Sequence, residues 1–227
     1  LMDTGLSVFV KKLPLVTLPV LNMQEISNQV FVLSFERTKD FLPGQVVALT
    51  LDPQIAPRLY SLCSAPDDTN NSILFNVKAD GQLSPRLAQL KTADTIQVSA
   101  PFGAFLGDEK PAWWIAAGTG VAPYRSMMRA GLSANKWLIH GGRTAASFYF
   151  HNEFLETFGE RYVRCCSQEK GEGLHEGRLT QWLRDCNEIP LRQMFYLCGS
   201  SEMVVEVRDI LIGKGVEIEN IMSEIYF

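Results

Sequence analysis

Apolar and polar positions alternate at period two through the first half of the chain and give way to unbroken apolar runs in the second. In SILFNVKA (72–79), Ile73, Phe75, Val77 and Ala79 fall on one face, and TIQVSA repeats the alternation with Ile96 and Val98. That is the rhythm of strands with one face buried. Turn-forming stretches at LPGQ, APDDTNN and ADG separate them, and short strands so spaced predict an antiparallel barrel of six strands over residues 1–108. Past GDEKP the rhythm changes. AWWIAAG is a continuous apolar run, as a parallel strand buried on both faces requires. KWLIHGG, RYVRCCS and MFYLCGS read as further strands, and YRSMMRAGL, EFLETFGE, GRLTQWLRDC and SEMVVEVRDILIGKG as helices. Strand alternating with helix predicts a doubly wound parallel sheet over 109–227, with the boundary near Gly107 to Pro111.

Composition narrows the classes of function. The 227 residues are 46% hydrophobic, enough for two ordinary cores, and the net charge of −4 gives no bulk attraction for nucleic acid. No run is long and apolar enough to span a bilayer, and LMDTGLSVFVKKLPL lacks the apolar centre of a signal peptide, so a cytoplasmic protein without a membrane partner is expected. The five cysteines have no C-x-x-C spacing, which argues against a disulfide framework and against a zinc or iron–sulfur site. His140, His151 and His175 are scattered without ligand spacing and read as structural or surface residues.

Several short stretches carry candidate chemistry. In RLYS (58–61), strand alternation sets Arg58 and Tyr60 on one face. A fixed cation beside a flat ring suits a ligand with both a phosphate and an aromatic system, and equally suits a barrel rim. In DGQLSPRLAQLK, Leu83, Leu87 and Leu90 have helical spacing, with Ser84 as expected N-cap and Pro85 at the first helical position. A helix start there offers free amides to an anion. In AAGTGVAPYRSM, Gly118, Gly120 and Pro123 follow a buried strand and open a helix, where nucleotide phosphates sit. The pattern is G-x-G-x-x-P, and the next strand ends in HGGR without an acidic residue for a ribose, so Arg143 is better suited to phosphate. Strand, glycine and helix start recur in YLCGSSEM.

Taken in order, these stretches resemble the ferredoxin/flavodoxin–NADP⁺ reductase family, in its bacterial type. Its flavin motif R-x-Y-[ST] is matched by Arg58-Leu59-Tyr60-Ser61, its flavin-phosphate motif by GQLSPRL, and its pyridine-nucleotide loop by GTGVAPYRSM; PFGAF, CGSSEM and the tail SEIYF complete the set. The resemblance runs from about residue 45 to the end. It implies FAD and NADP(H) as cofactors and no metal. Arg58 would pair with the flavin phosphate, Tyr60 would pack along the ring system and Ser61 would face its reactive nitrogen, with a bend or strand end expected there. Asn76 and Val77 join the flavin contacts, while Gly81, Gln82, Leu83 and Ser84 cradle the pyrophosphate. Gly118, Thr119, Gly120 and Arg143 would lie along the pyridine nucleotide. The family's Ser-Arg marker for the 2′-phosphate is Ser167-Gln168 here, but the later arginine is retained as Arg178, with Lys170 close by, and NADP remains the expectation. Ser61, Cys198 and Glu224 surround the point of hydride transfer, with Gly199 beside it. Tyr226 would cover the flavin, and Phe227 either joins it or plugs an apolar groove. The implied partner is ferredoxin or flavodoxin, for which Arg125 and Arg129 are docking candidates, and the implied state is a monomer. The alternatives are a stand-alone flavin reductase, the reductase component of an oxygenase, or a flavin-binding module without turnover.

Overall fold

The alternating half forms a single antiparallel sheet in a computed structural model that describes residue 10 and residues 12–226. Its strands are β1 (Leu15–Ser27), β2 (Val30–Glu36), β3 (Val46–Thr50), β4 (Arg58–Ser61), β5 (Asn70–Asn76) and β6 (Thr95–Ser99), in spatial order β4–β3–β6–β1–β2–β5. A bridge from Leu62 to Ile73 links the two outer strands and closes the barrel. Inward side chains from every strand meet in one core that includes Leu18, Leu33, Val47, Leu62, Ile73 and Ile96. The rings of Phe31 and Phe75, paired on the adjacent strands β2 and β5, stack at 5.6 Å within it. β5 stops at Asn76, short of the alternation read through residue 79: the Val77 amide still donates in register to the Gln29 carbonyl at 2.9 Å, but Gln29, at φ +58°, lies in the turn before β2 and leaves no strand to pair with beyond it. Leu87 of the short helix α1 (Ser84–Leu87) is wholly buried against the same core.

The second half is a parallel sheet of β7 (Ala112–Ala117), β8 (Lys136–Gly142), β9 (Tyr162–Cys166), β10 (His175–Glu176), β11 (Met194–Ser200) and β12 (Ile221–Tyr226), in order β10–β9–β8–β7–β11–β12. Helices α2 (Ala122–Arg129), α3 (His151–Phe158), α4 (Leu179–Asp185) and α5 (Ser201–Gly213) flank it. The last strand, read from sequence only as a tail, pairs with β11 along its whole length. Ser223 and Glu224 interrupt its apolar pattern. The two units divide between Leu106 and Gly107. No helix among the described residues is long and apolar enough to cross a membrane.

Strand alternation gives the second sheet two different faces. Trp113, Ile115, Ile139, Val163, Phe195 and Leu197 pack against Leu179 and Leu183 of α4 and Met203, Val207 and Leu211 of α5. Burying each such aliphatic or aromatic side chain stabilises the unit by roughly 1.5–3 kcal/mol. The opposite face is aromatic and polar. Trp114 stacks on Tyr124 at 5.4 Å, while Phe148 meets the His140 ring edge-on at 5.2 Å. Lys136, fully buried, donates from Nζ to the carbonyls of Asp108 (2.9 Å) and Lys110. Burial lowers its pKa, and Asp108 and Glu109 oppose the shift.

His140 is also fully buried, its Nδ1 3.1 Å from the Tyr162 hydroxyl. Burial pushes its pKa down to about 3; the Gly118 carbonyl opposes this, while His151 and Arg164 reinforce it. The folded protein therefore keeps this ring neutral, whereas the unfolded chain takes up a proton below about pH 6.5. The associated stability is complete above that pH and is lost as pH falls toward 3. Urea midpoints measured between pH 7 and 4.5 should fall, and His140→Phe should fall less steeply over the same interval.

Candidate functional site

In the barrel unit, β4 ends at Ser61, the strand end expected from the resemblance, although the next residue, Leu62, still bridges Ile73. Arg58 is exposed, Tyr60 is half-buried and Ser61 is buried. The Tyr60 ring meets Phe75 edge-on at 6.3 Å. Burial raises its pKa, with Arg58 partly opposing, so the phenol stays protonated. Asn76 and Val77, half-buried, stand where β5 gives way to the next turn.

That turn is tightly tied. The Gly81 amide donates to the Lys78 carbonyl at 2.8 Å, and the Lys78 amide donates to Ser84 Oγ at 2.9 Å. The Ser84 side chain is thus drawn backward and does not cap α1; Leu83 occupies the N-cap position without a side-chain cap. Sequence spacing placed the cap correctly to within one residue, but Lys78 competes for the same hydroxyl. The amides of Gln82, Leu83 and Ser84 donate to no group among the described residues. Three consecutive amides left unmet are a donor set for an anion such as a diphosphate, which is what the bound end of FAD would present.

In the second unit, the sheet order reverses between β7 and β11. Ligands of open parallel sheets bind beyond the strand ends at such a reversal. The turn after β7 (Gly118–Val121) leads directly into α2. Gly118 has φ +54°, with nothing within 4 Å of where a Cβ would stand. Gly120 is the opposite case: a Cβ there would lie 2.2 Å from the Cys198 carbonyl oxygen and 2.6 Å from its carbon. The turn presses directly on the end of β11, and only a residue without a side chain fits.

Cys198 is buried and lies in register opposite Glu224, which is half-buried; Gly199 is opposite Ile225 and Ser200 opposite Tyr226. Paired residues of parallel strands point to one face, so Cys198 and Glu224 are neighbours there. Beside them the Tyr124 hydroxyl donates to the Tyr196 carbonyl at 2.7 Å. Burial raises the pKa of this phenol, and Cys198 and Glu224 raise it further. The side chain of Tyr226, and Phe227 altogether, lie outside the described residues.

Arg143, Ser167, Gln168 and Arg178 are all exposed, at the carboxyl ends of β8 and β9 and the start of α4. The amides of Ser167 and Gln168 donate to the carbonyls of Gly142 (3.0 Å) and Arg143 (2.9 Å), which holds this edge together. Lys170 is already answered by Glu176 at 2.7 Å. Arg125 differs from the free surface cation expected of a docking patch. It forks onto Glu153 at 2.8 and 3.0 Å and covers the Phe150 ring at 4.2 Å. His140, passed over in the sequence for want of ligand spacing, faces the Gly118 carbonyl from beneath; its one signal was its place next to Gly141-Gly142. Nothing in PYRSM pointed to the part played by Tyr124.

Comparison with known proteins matches an oxidoreductase FAD-binding domain over residues 17–106 and an oxidoreductase NAD-binding domain over 114–209. The flavodoxin/ferredoxin–NADP reductase of Escherichia coli is 30% identical over 189 residues, covering 72% of this chain and 76% of that protein. The toluate 1,2-dioxygenase electron transfer component of Pseudomonas putida is 28% identical over 219 residues, covering 89% of this chain and 65% of that protein. Among solved structures, a ferredoxin NADP⁺ reductase from Neisseria gonorrhoeae with bound FAD and NADP superposes with a TM-score of 0.84. It is 20% identical, with coverage of 94% of this chain and 99% of that one.

A methyl group at Gly120 must displace backbone, not a flexible side chain. Gly120→Ala should therefore destabilise the parallel-sheet unit by about 1–3 kcal/mol, read as a lowered urea midpoint for that unit with the barrel unit unchanged.

Proposed function

Because the chain belongs to the ferredoxin–NADP reductase family, we propose that it is a monomeric cytoplasmic flavoenzyme that oxidises NADPH and passes the electrons singly to ferredoxin or flavodoxin. The observation that carries this is the Gly118–Gly120 turn lodged on the Cys198 backbone where the strand order reverses, with Glu224 in register beside it. FAD, when bound, supplies the means to accept a hydride and release single electrons.

The chain's own residues bind, orient and hold protons. The amides of Gln82, Leu83 and Ser84 would take the FAD diphosphate, and Arg58 would add a fixed, exposed charge for the phosphate. Tyr60, kept uncharged by its burial, would pack along the flavin ring system between Asn76, Val77 and the rim. Ser61 would donate a hydrogen bond to the ring nitrogen. In the second unit, Gly118, Thr119 and Gly120 would let the nucleotide diphosphate approach the backbone, with Arg143 nearby. Cys198 would contact the nicotinamide edge through its shape, Gly199 leaving room beside it. Glu224 would accept from the nicotinamide carboxamide or pass on a proton. For the 2′-phosphate, Arg178 with Ser167 is the better-placed pair, because Lys170 already faces Glu176.

A second reading, the reductase component of an oxygenase, is favoured by the likeness to the electron transfer component of toluate 1,2-dioxygenase. Anaerobic titration with NADPH, then NADH, followed at the flavin absorbance should bleach the protein with NADPH. Rapid mixing of the reduced enzyme with flavodoxin or ferredoxin then separates the candidates: turnover with free flavin alone would remove the first reading. Arg178→Ala should raise the KM for NADPH about tenfold, the scale of one charge-assisted hydrogen bond, and leave that for NADH nearly unchanged. Equal changes for both cofactors would withdraw Arg178 from the 2′-phosphate.

A further inference from the structure

The reaction set out above gives His140 no task, yet the fold spends a buried polar side chain on it. The ring is fully buried at the end of β8. Tyr162 of β9 holds its Nδ1 at 3.1 Å, Phe148 meets it edge-on at 5.2 Å, and the His151 ring and the Arg164 guanidinium face it. Its Nε2 makes no well-formed hydrogen bond, and the Gly118 carbonyl is the backbone acceptor that acts on it. A carbonyl can only accept, so the proton belongs on Nε2, and Nδ1 then accepts from the Tyr162 hydroxyl. The relay runs Tyr162 O–H to Nδ1, then Nε2–H toward Gly118.

We propose that His140 is a positioning residue for the pyridine nucleotide: its Nε2–H, only loosely met by the Gly118 carbonyl, closes on that carbonyl when a nucleotide diphosphate settles on the Gly118–Gly120 turn. This role rests on that turn being the nucleotide site. Gly118 is the residue of the turn best able to adjust, since it carries no side chain and at φ +54° has open space where one would be. Gly120 cannot follow, being fixed against Cys198, so the movement is confined to the first peptide of the turn. A buried donor that is poorly met costs free energy that the bound state recovers. Nucleotide affinity is thereby coupled to a group that never touches the nucleotide.

The test uses the full-length, FAD-loaded protein and NADP⁺ as probe, with affinities from calorimetry. His140→Phe keeps the ring and removes both nitrogens, and should weaken NADP⁺ binding about fivefold or more. His140→Gln keeps an N–H donor and should recover part of the loss. Flavin content should not change, and kcat at saturating NADPH should move much less than KM. Independently, in wild type labelled with ¹⁵N-histidine, His140 should be the Nε2–H tautomer, and its Nε2 resonance should shift on adding NADP⁺. That measurement decides the matter even if the variants fail to fold. Wild-type affinity in His140→Phe, or an unmoved His140 resonance while NADP⁺ binds, would overturn the proposal. A wild type that binds FAD but no NADP⁺ would instead overturn the nucleotide site itself.

Discussion

Everything in the parallel-sheet unit is arranged around the point where backbone meets backbone at Gly120 and Cys198, too close to admit a methyl group. The contact fixes the height at which the turn after β7 crosses the end of β11, and therefore where α2 begins. The Tyr124 hydroxyl repeats the constraint one turn along the helix by donating into the β11 backbone at Tyr196. With α2 held at both places, the crevice at the strand-order reversal has a rigid floor. A rigid floor is what a site needs if it must align two reacting rings, because misplacement by a fraction of an ångström is costly in rate.

The two faces of that sheet are built on different principles. The face under α4 and α5 is an ordinary apolar core, in which volume decides stability. The face under α2 and α3 carries Trp114 Nε1, Ser126 Oγ, His140 Nε2, His151 Nδ1 and Arg164 Nε, five of the six buried side-chain polar atoms without a partner among the described residues. Buried polar groups are usually paired, and clusters of exceptions sit where function rather than stability sets the sequence. The asymmetry separates an apolar side from an aromatic and polar side within one sheet.

Much of this was legible beforehand, because it rests on periodicity and on glycine. Alternation marked the barrel strands, continuous apolar runs marked the parallel ones, and Gly118 and Gly120 marked the turn. What escaped depended on competition between partners that no linear pattern records. Ser84 is an excellent cap by type, yet its hydroxyl belongs to the Lys78 amide. Arg125 looks like a free cation until α3 brings Glu153 against it. Lys170 likewise meets Glu176 only after the chain has turned back as β10. Strand β12 was hidden because a strand at the sheet edge, with Ser223 and Glu224 within it, has no apolar rhythm of its own.

Lys136 has a practical implication for dissecting the chain. Its ammonium is sealed inside the second unit, and the carbonyls of Asp108 and Lys110 in the connecting segment are what satisfy it. Gly107 belongs there too, since a Cβ at that position would come within 2.9 Å of Met127. The connector is thus an organ of the domain that follows it, not neutral string. A fragment cut to start at Pro111 would strand a charge in an oily interior, whereas one cut before Gly107 carries its own counterpart and has reason to fold alone.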